Sequence, residues 1–175
     1  LMKKVIAIIG SLRKESVNRH IFNNYKRLAK DFFVLEEGDI SQIPLYNQDI
    51  EKEPGSVAAL AELINHSDGV IFFTPEYNYS IPGVLKNAID WLSRNDLKPF
   101  NNKLAAVLGG SPGNIGTARM QYHLRQVGVF LNLNFLNKPE VMIGKVFSKV
   151  TDGEITDKDT IDLLNRHIQQ FAEKL

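Results

Sequence analysis

The sequence predicts an α/β fold in three layers: a five-stranded parallel sheet of order 2-1-3-4-5 with helices on both faces. Three observations predict it. Short apolar runs such as Gly69-Val70-Ile71-Phe72-Phe73-Thr74 have no polar alternation, which is the pattern of strands buried on both sides. Amphipathic stretches follow these runs about five times, as parallel crossovers require. Finally, 175 residues with 43% hydrophobic and 23% charged content suit one domain, taken as residues 1–175.

Strand one is expected over Lys4–Ile9, and a helix from Ser16 to Lys30 follows, with Ser16 as its N-cap. Strand two is placed at Phe32–Glu36, before a polar loop containing Pro44 and Pro54. Helix two starts at Ser56 and turns Val57, Leu60, Ala61, Leu63 and Ile64 toward the sheet. Strand three is Gly69–Thr74. After a loop at Pro75–Ile81, Pro82 occupies the first position of a helix continued by Val84–Arg94. Strand four is Lys103–Leu108 and helix four runs from Gly116 to Phe130. Strand five falls at either Leu133–Leu136 or Glu140–Ile143, and Asp157–Leu175 closes the fold as a helix.

Composition narrows the function classes. The 21 basic and 20 acidic residues are interspersed and leave a net charge of +1, too little field to recruit nucleic acid or an anionic membrane surface. With 0 cysteines there is no thiolate nucleophile, disulfide, iron–sulfur cluster or sulfur-bound zinc, so redox chemistry needs a borrowed cofactor. His20, His66, His123 and His167 are scattered and form no ligand pair, and no metal site is expected. The apolar run at Val5–Ile9 is too short for a leader and ends in a turn without a cleavage signal; a cytoplasmic protein is expected.

An open parallel sheet of this order binds ligands beyond the carboxyl ends of its strands, where the order reverses. Three loops meet there. The first, Gly10-Ser11-Leu12-Arg13-Lys14-Glu15-Ser16-Val17-Asn18, runs into a helix start and offers hydroxyls, the Arg13 guanidinium, the Asn18 amide and free N–H groups. That set suits a phosphate monoester, and it matches neither a Walker loop nor a dinucleotide Gly-x-Gly-x-x-Gly pattern. Glu15 opposes a bound dianion unless its carboxylate turns to water. The second loop, Thr74-Pro75-Glu76-Tyr77-Asn78-Tyr79-Ser80-Ile81-Pro82-Gly83, is stiff and aromatic, suited to clamping a flat ring. The third, Leu108-Gly109-Gly110-Ser111-Pro112-Gly113-Asn114-Ile115-Gly116, has small residues that let a ligand approach the main chain.

Over nearly its whole length the chain resembles the NADPH-dependent FMN reductase family, in its soluble chromate and quinone reductase branch, a group with the flavodoxin-like fold. The resemblance is carried by Gly10–Asn18, by Pro75–Gly83 with Leu85-Lys86-Asn87-Ala88-Ile89-Asp90-Trp91, and by Arg119-Met120-Gln121-Tyr122-His123-Leu124-Arg125-Gln126. It implies FMN with its phosphate on Ser11, Arg13, Ser16, Val17 and Asn18, its ring against Pro75, Glu76, Tyr77 and Asn78, and a contact from Ser111. It also implies dimers that pair into tetramers, with helix three and the segment around Arg119, Tyr122 and Glu140 near subunit contacts, those residues in a catalytic or a structural capacity. Thr117 and Glu15 depart from the family pattern, where relatives carry smaller residues.

The activity so implied is reduction of quinones, chromate, azo compounds or free flavin by NADPH or NADH, with hydride entering and electrons leaving by the same flavin face. The cofactor carries that chemistry, so no side-chain acid or base is required. The competing assignment is a flavodoxin-type carrier handing electrons to a protein partner, which the near-neutral charge disfavours.

Overall fold

The computed structural model describes residues 2–50 and 52–175. The first four strands are β1 (Lys4–Ile9), β2 (Val34–Gly38), β3 (Gly69–Phe73) and β4 (Leu104–Gly110). They pair in parallel in the order β2-β1-β3-β4, and the next position is shared by β5 (Asn134–Phe135) and β6 (Val141–Ile143). β5 pairs with the start of β4 at Leu104 and Ala105, and β6 pairs with its end at Leu108–Gly110. Both sequence placements of strand five are therefore real, and the expected five-stranded sheet has six. Leu136 still donates its N–H to Ala105 C=O at 2.8 Å, and the chain then leaves the ladder through a cis Lys138–Pro139 bond and returns to it at Val141.

The alternation within the strands divides the core. Val5, Ala7, Ile9, Ile71 and Phe73 face α1 (Val17–Ala29) and α5 (Lys158–Ala172), where Ile21, Tyr25, Leu164, Ile168 and Phe171 close over them. Ile6, Ile8, Val70 and Phe72 face α2 (Gly55–Asn65), α3 (Gly83–Leu92) and α4 (Ala118–Phe130). The β1 and β3 residues just named are at most 3% exposed, which explains their continuous apolar runs.

Helix starts follow local chemistry. Ser16 caps α1 by accepting from the Asn18 N–H at 3.3 Å, and Asp157 caps α5 by accepting from the Thr160 N–H at 2.9 Å. Pro82 stands at the N-cap of α3 rather than inside it. β2 lies two residues later than the apolar pattern suggests. Phe32 and Phe33 both donate N–H bonds to Ala29 C=O at the end of α1, and Phe33 is buried against Phe171, so pairing with β1 begins at Val34.

A 3₁₀ turn at Val146–Ser148 and a small hairpin of β7 (Val150–Thr151) and β8 (Glu154–Ile155) lie between β6 and α5. Asn24 of α1 secures the hairpin, donating to Gly153 C=O at 2.8 Å and accepting from the Ile155 N–H at 3.2 Å. No helix among the described residues is long and apolar enough to cross a membrane.

Candidate flavin site at the strand ends

The carboxyl ends of β1, β3 and β4 converge closely because glycines stand there. A Cβ on Gly10 would overlap the Thr74 side chain, and one on Gly109 would overlap both Thr117 Oγ1 and Thr74 C=O. Gly10 N–H donates to Phe73 C=O at 2.9 Å, and Thr74 N–H donates to Leu108 C=O at 3.0 Å. The three loops singled out in the sequence therefore leave the sheet side by side.

The cationic groups of the first loop stay free of acidic partners among the described residues. Arg13 and Lys14 are exposed and enter no ion pair among the described residues, and no acidic side chain occupies the first turn of α1. The N–H groups of Lys14, Glu15 and Val17 donate to no protein acceptor among the described residues, which is the ordinary state of donors at a helix start. Ser11 and Ser16 are buried at 4% and 5% exposure; Ser11 Oγ accepts from the Arg13 N–H at 3.3 Å and Ser16 Oγ from the Asn18 N–H at 3.3 Å. Glu15 does turn away: its side chain is 77% exposed, with its Oε2 3.8 Å from His20 Nε2. Arg19 is committed elsewhere, in a two-pronged pair with Glu37 at 2.9 Å for each bond, which holds its guanidinium above the usual range.

Asn18 does not present its side chain to this loop. Its Oδ1 accepts from the Gly110 N–H at 2.9 Å, and its Nδ2 donates to Gly110 C=O at 3.2 Å, in a site where Asn18 is 1% exposed. The residue braces the first turn of α1 against the end of β4. Ser111 is likewise engaged, its hydroxyl donating to Gly116 C=O, its N–H to Ile143 C=O, and its C=O accepting from the Val146 N–H. Neither engagement could be read from the spacing.

In the second loop, Pro75 and Glu76 are partly buried, while Tyr77 and Asn78 are exposed. Tyr77 OH lies 3.5 Å from Ser11 Oγ, so the aromatic loop and the anion loop touch. The Glu76 carboxylate is directed into α4, accepting from the Met120 N–H at 3.1 Å. A cleft of about 440 Å³ lined by Ser11, Leu12, Arg19, Glu37, Asp39 and Ser41 flanks the first loop on the β2 side. A second concavity of about 340 Å³, between Leu92, Phe100, Phe130 and Leu131, lies at the far end of α3 and α4 and carries none of these groups.

The family model for NADPH-dependent FMN reductases matches residues 3–148, a span that contains all three loops. The chain belongs to that family. Among its relatives, the quinone reductase of Escherichia coli is 44% identical over 97% of this chain and 94% of its own length. A NAD(P)H-dependent FMN reductase of Pseudomonas aeruginosa is 46% identical over 95% and 91%. The solved structure of the flavoenzyme FerB, an NAD(P)H:acceptor oxidoreductase from Paracoccus denitrificans, superposes with a TM-score of 0.90 at 36% identity, covering 98% of this chain and 96% of that one.

The chemistry of the donor set fits the family's cofactor. An unpaired guanidinium, two hydroxyls and free N–H groups at a helix N-terminus match a phosphate monoester. The neighbouring Pro75–Asn78 segment offers an aromatic wall to a flat ring. Sequence reasoning did not foresee that Arg119, Met120 and His123 of α4 grip the second loop. Their only sequence signal is the family resemblance around Arg119–Gln126.

Proposed function

We propose that this chain is an FMN-dependent NAD(P)H oxidoreductase that reduces quinones or similar small acceptors, a class that extends to chromate, azo compounds and free flavin. The observation that carries it is the adjacency of the anion loop and the aromatic loop, joined at Ser11 Oγ and Tyr77 OH. In this assignment Ser11, Arg13, Ser16 and the Val17 N–H hold the FMN phosphate. Asn18 keeps the helix start in place for it. Pro75, Glu76, Tyr77 and Asn78 form the ring-facing loop, and Ser111 adds a contact from the third loop.

When bound, FMN supplies hydride acceptance from the nicotinamide and electron delivery to the acceptor. The chain contributes binding and orientation. Arg13 and the dipole of α1 neutralise the phosphate, while the exposed Tyr77 and Asn78 leave an open face for substrates to exchange. No side chain is assigned as an acid or a base.

The same proposal includes a homodimer or homotetramer in the cytoplasm. The assembly is supported by Val129 and Phe130 at the end of α4, 79% and 84% exposed. Sedimentation velocity of the purified protein tests the assembly, and a monomer at all concentrations would reject it. The decisive test of the activity is steady-state NADPH and NADH oxidation with a quinone, with FMN but no protein partner. Turnover with bound flavin is expected; FMN uptake without turnover would instead identify an electron carrier.

A further inference from the structure

Helix α4 begins without a local cap. Thr117 occupies its N-cap position, but the side chain makes no capping bond, and its Oγ1 accepts from Gln121 Nε2 at 3.0 Å instead. No acidic residue stands in the first turn either. Helix starts carry N–H groups in need of acceptors, and their dipole favours a negative charge. Glu76 supplies both from a different loop. Its Oε2 accepts from the Met120 N–H at 3.1 Å, its Oε1 lies 3.8 Å from Arg119 Nη1, and its side chain is only 10% exposed.

Two further residues of α4 hold the same loop. The Arg119 guanidinium lies 3.9 Å from the centre of the Tyr79 ring, and His123 Nδ1 is 3.0 Å from Ser80 Oγ. Between these grips the chain makes a tight turn. Tyr77 N–H donates to Ser80 C=O at 3.0 Å, and Ser80 N–H donates to Tyr77 C=O at 2.9 Å. The central residues, Asn78 and Tyr79, have φ of 50° and 65°. Left-handed backbone is disfavoured for residues with a Cβ, and tyrosine has no short polar side chain to offset it. Such a turn persists only where its surroundings over-determine it.

We infer that Glu76 is a positioning residue: seated on the start of α4, its carboxylate holds the 75–80 turn in the left-handed conformation that offers Pro75–Asn78 to the flavin ring. This rests on the proposed ring-binding role of that turn. Glu76 touches no reacting atom and acts through the backbone it fixes. Arg119 ties the charge to the aromatic tip, since it faces both Glu76 and Tyr79.

The test uses amide hydrogen exchange on the flavin-free protein and absorption spectra of the FMN-loaded protein, for wild type, Glu76→Ala and Glu76→Gln. In Glu76→Ala the Tyr77 and Ser80 amides are expected to exchange at least about tenfold faster, while strand amides at Ile6–Ile8 and Val70–Phe72 keep their rates. Glu76→Gln keeps an acceptor for the Met120 N–H but loses the charge, so a smaller rise is expected; this variant decides the matter if the alanine protein does not fold. With FMN bound, the alanine variant is expected to show displaced flavin bands. Exchange at Tyr77 and Ser80 unchanged from wild type would overturn the seat on α4. Faster exchange with a flavin spectrum superimposable on wild type would overturn the positioning role. Wild-type protein that takes up no FMN would defeat the ring-binding role of the turn, while the exchange data would still judge the Glu76 contact by itself.

Discussion

Asn18 and Gly110 exchange two hydrogen bonds across 92 residues of sequence, Gly110 N–H to Asn18 Oδ1 and Asn18 Nδ2 to Gly110 C=O. They join the helix that opens the anion loop to the strand that opens the glycine-rich loop. Asn18→Asp preserves the acceptor for Gly110 N–H but sets a carboxylate oxygen against Gly110 C=O. A loss of about 1–3 kcal/mol in unfolding free energy is expected, the cost of leaving buried polar groups unpaired. FMN affinity should fall with it, because the helix start is no longer braced. Urea unfolding and flavin titration measure the two, and a variant as stable as wild type would show that the pair does not brace the loop.

Arg13 and Lys14 are the exposed basic residues of the first loop, and Arg13 is the one assigned to the phosphate. Arg13→Ala is expected to weaken FMN binding by about 1.5–3 kcal/mol, the range for a charge-assisted bond to phosphate. Fluorescence quenching of titrated FMN gives the dissociation constant, and riboflavin, which lacks the phosphate, should bind wild type and variant alike. Equal loss for both ligands would move the phosphate elsewhere.

Tyr77 reaches the anion loop by its hydroxyl yet belongs to the aromatic loop. Tyr77→Ala is therefore expected to alter the flavin absorption spectrum and the KM for quinone while changing the FMN dissociation constant less than Arg13→Ala does. Spectra and steady-state kinetics indistinguishable from wild type would remove the ring-clamp role.

His167 predicts the acid behaviour of the fold. It lies buried between α1 and α5, with Nδ1 2.9 Å from Tyr25 OH and its ring stacked on Phe171. Burial, and then the Arg125 charge, lower its pKa from 6.5 to about 3, while burial raises that of Tyr25. The unfolded chain thus binds a proton that the folded chain refuses. The stability this residue contributes is fully present above about pH 6.5 and declines as pH falls toward 3, by at most about 1.4 kcal/mol per pH unit. Urea midpoints between pH 7 and pH 4 measure that slope, which should be shallower in His167→Gln. Parallel profiles for the two proteins would assign the acid sensitivity to other groups.

Much of this architecture was legible because its causes are local. Two-sided burial of β1 and β3 is written in their unbroken apolar runs, and Ser16 and Asp157 announce the helices they cap. The residue types of the first loop were legible too, since an Arg and two Ser beside a helix start can be read without any distant partner. The shift of β2 to Val34–Gly38 was not, because burial of Phe33 against Phe171 depends on where α5 returns to the sheet.

The sequence by itself determined the strand–helix alternation, the identity of the three loops at the strand ends and the chemical character each would bring, all of which depend on neighbours a few residues apart. Only the tertiary structure decided which protein partners the polar side chains at that edge take. Asn18, Ser111 and Glu76 bond to Gly110, Gly116 and Met120. A hydrogen-bonding group takes whichever partner the packed chain brings within about 3 Å, and for Asn18 and Glu76 those partners lie 92 and 44 residues away, beyond the reach of any local pattern.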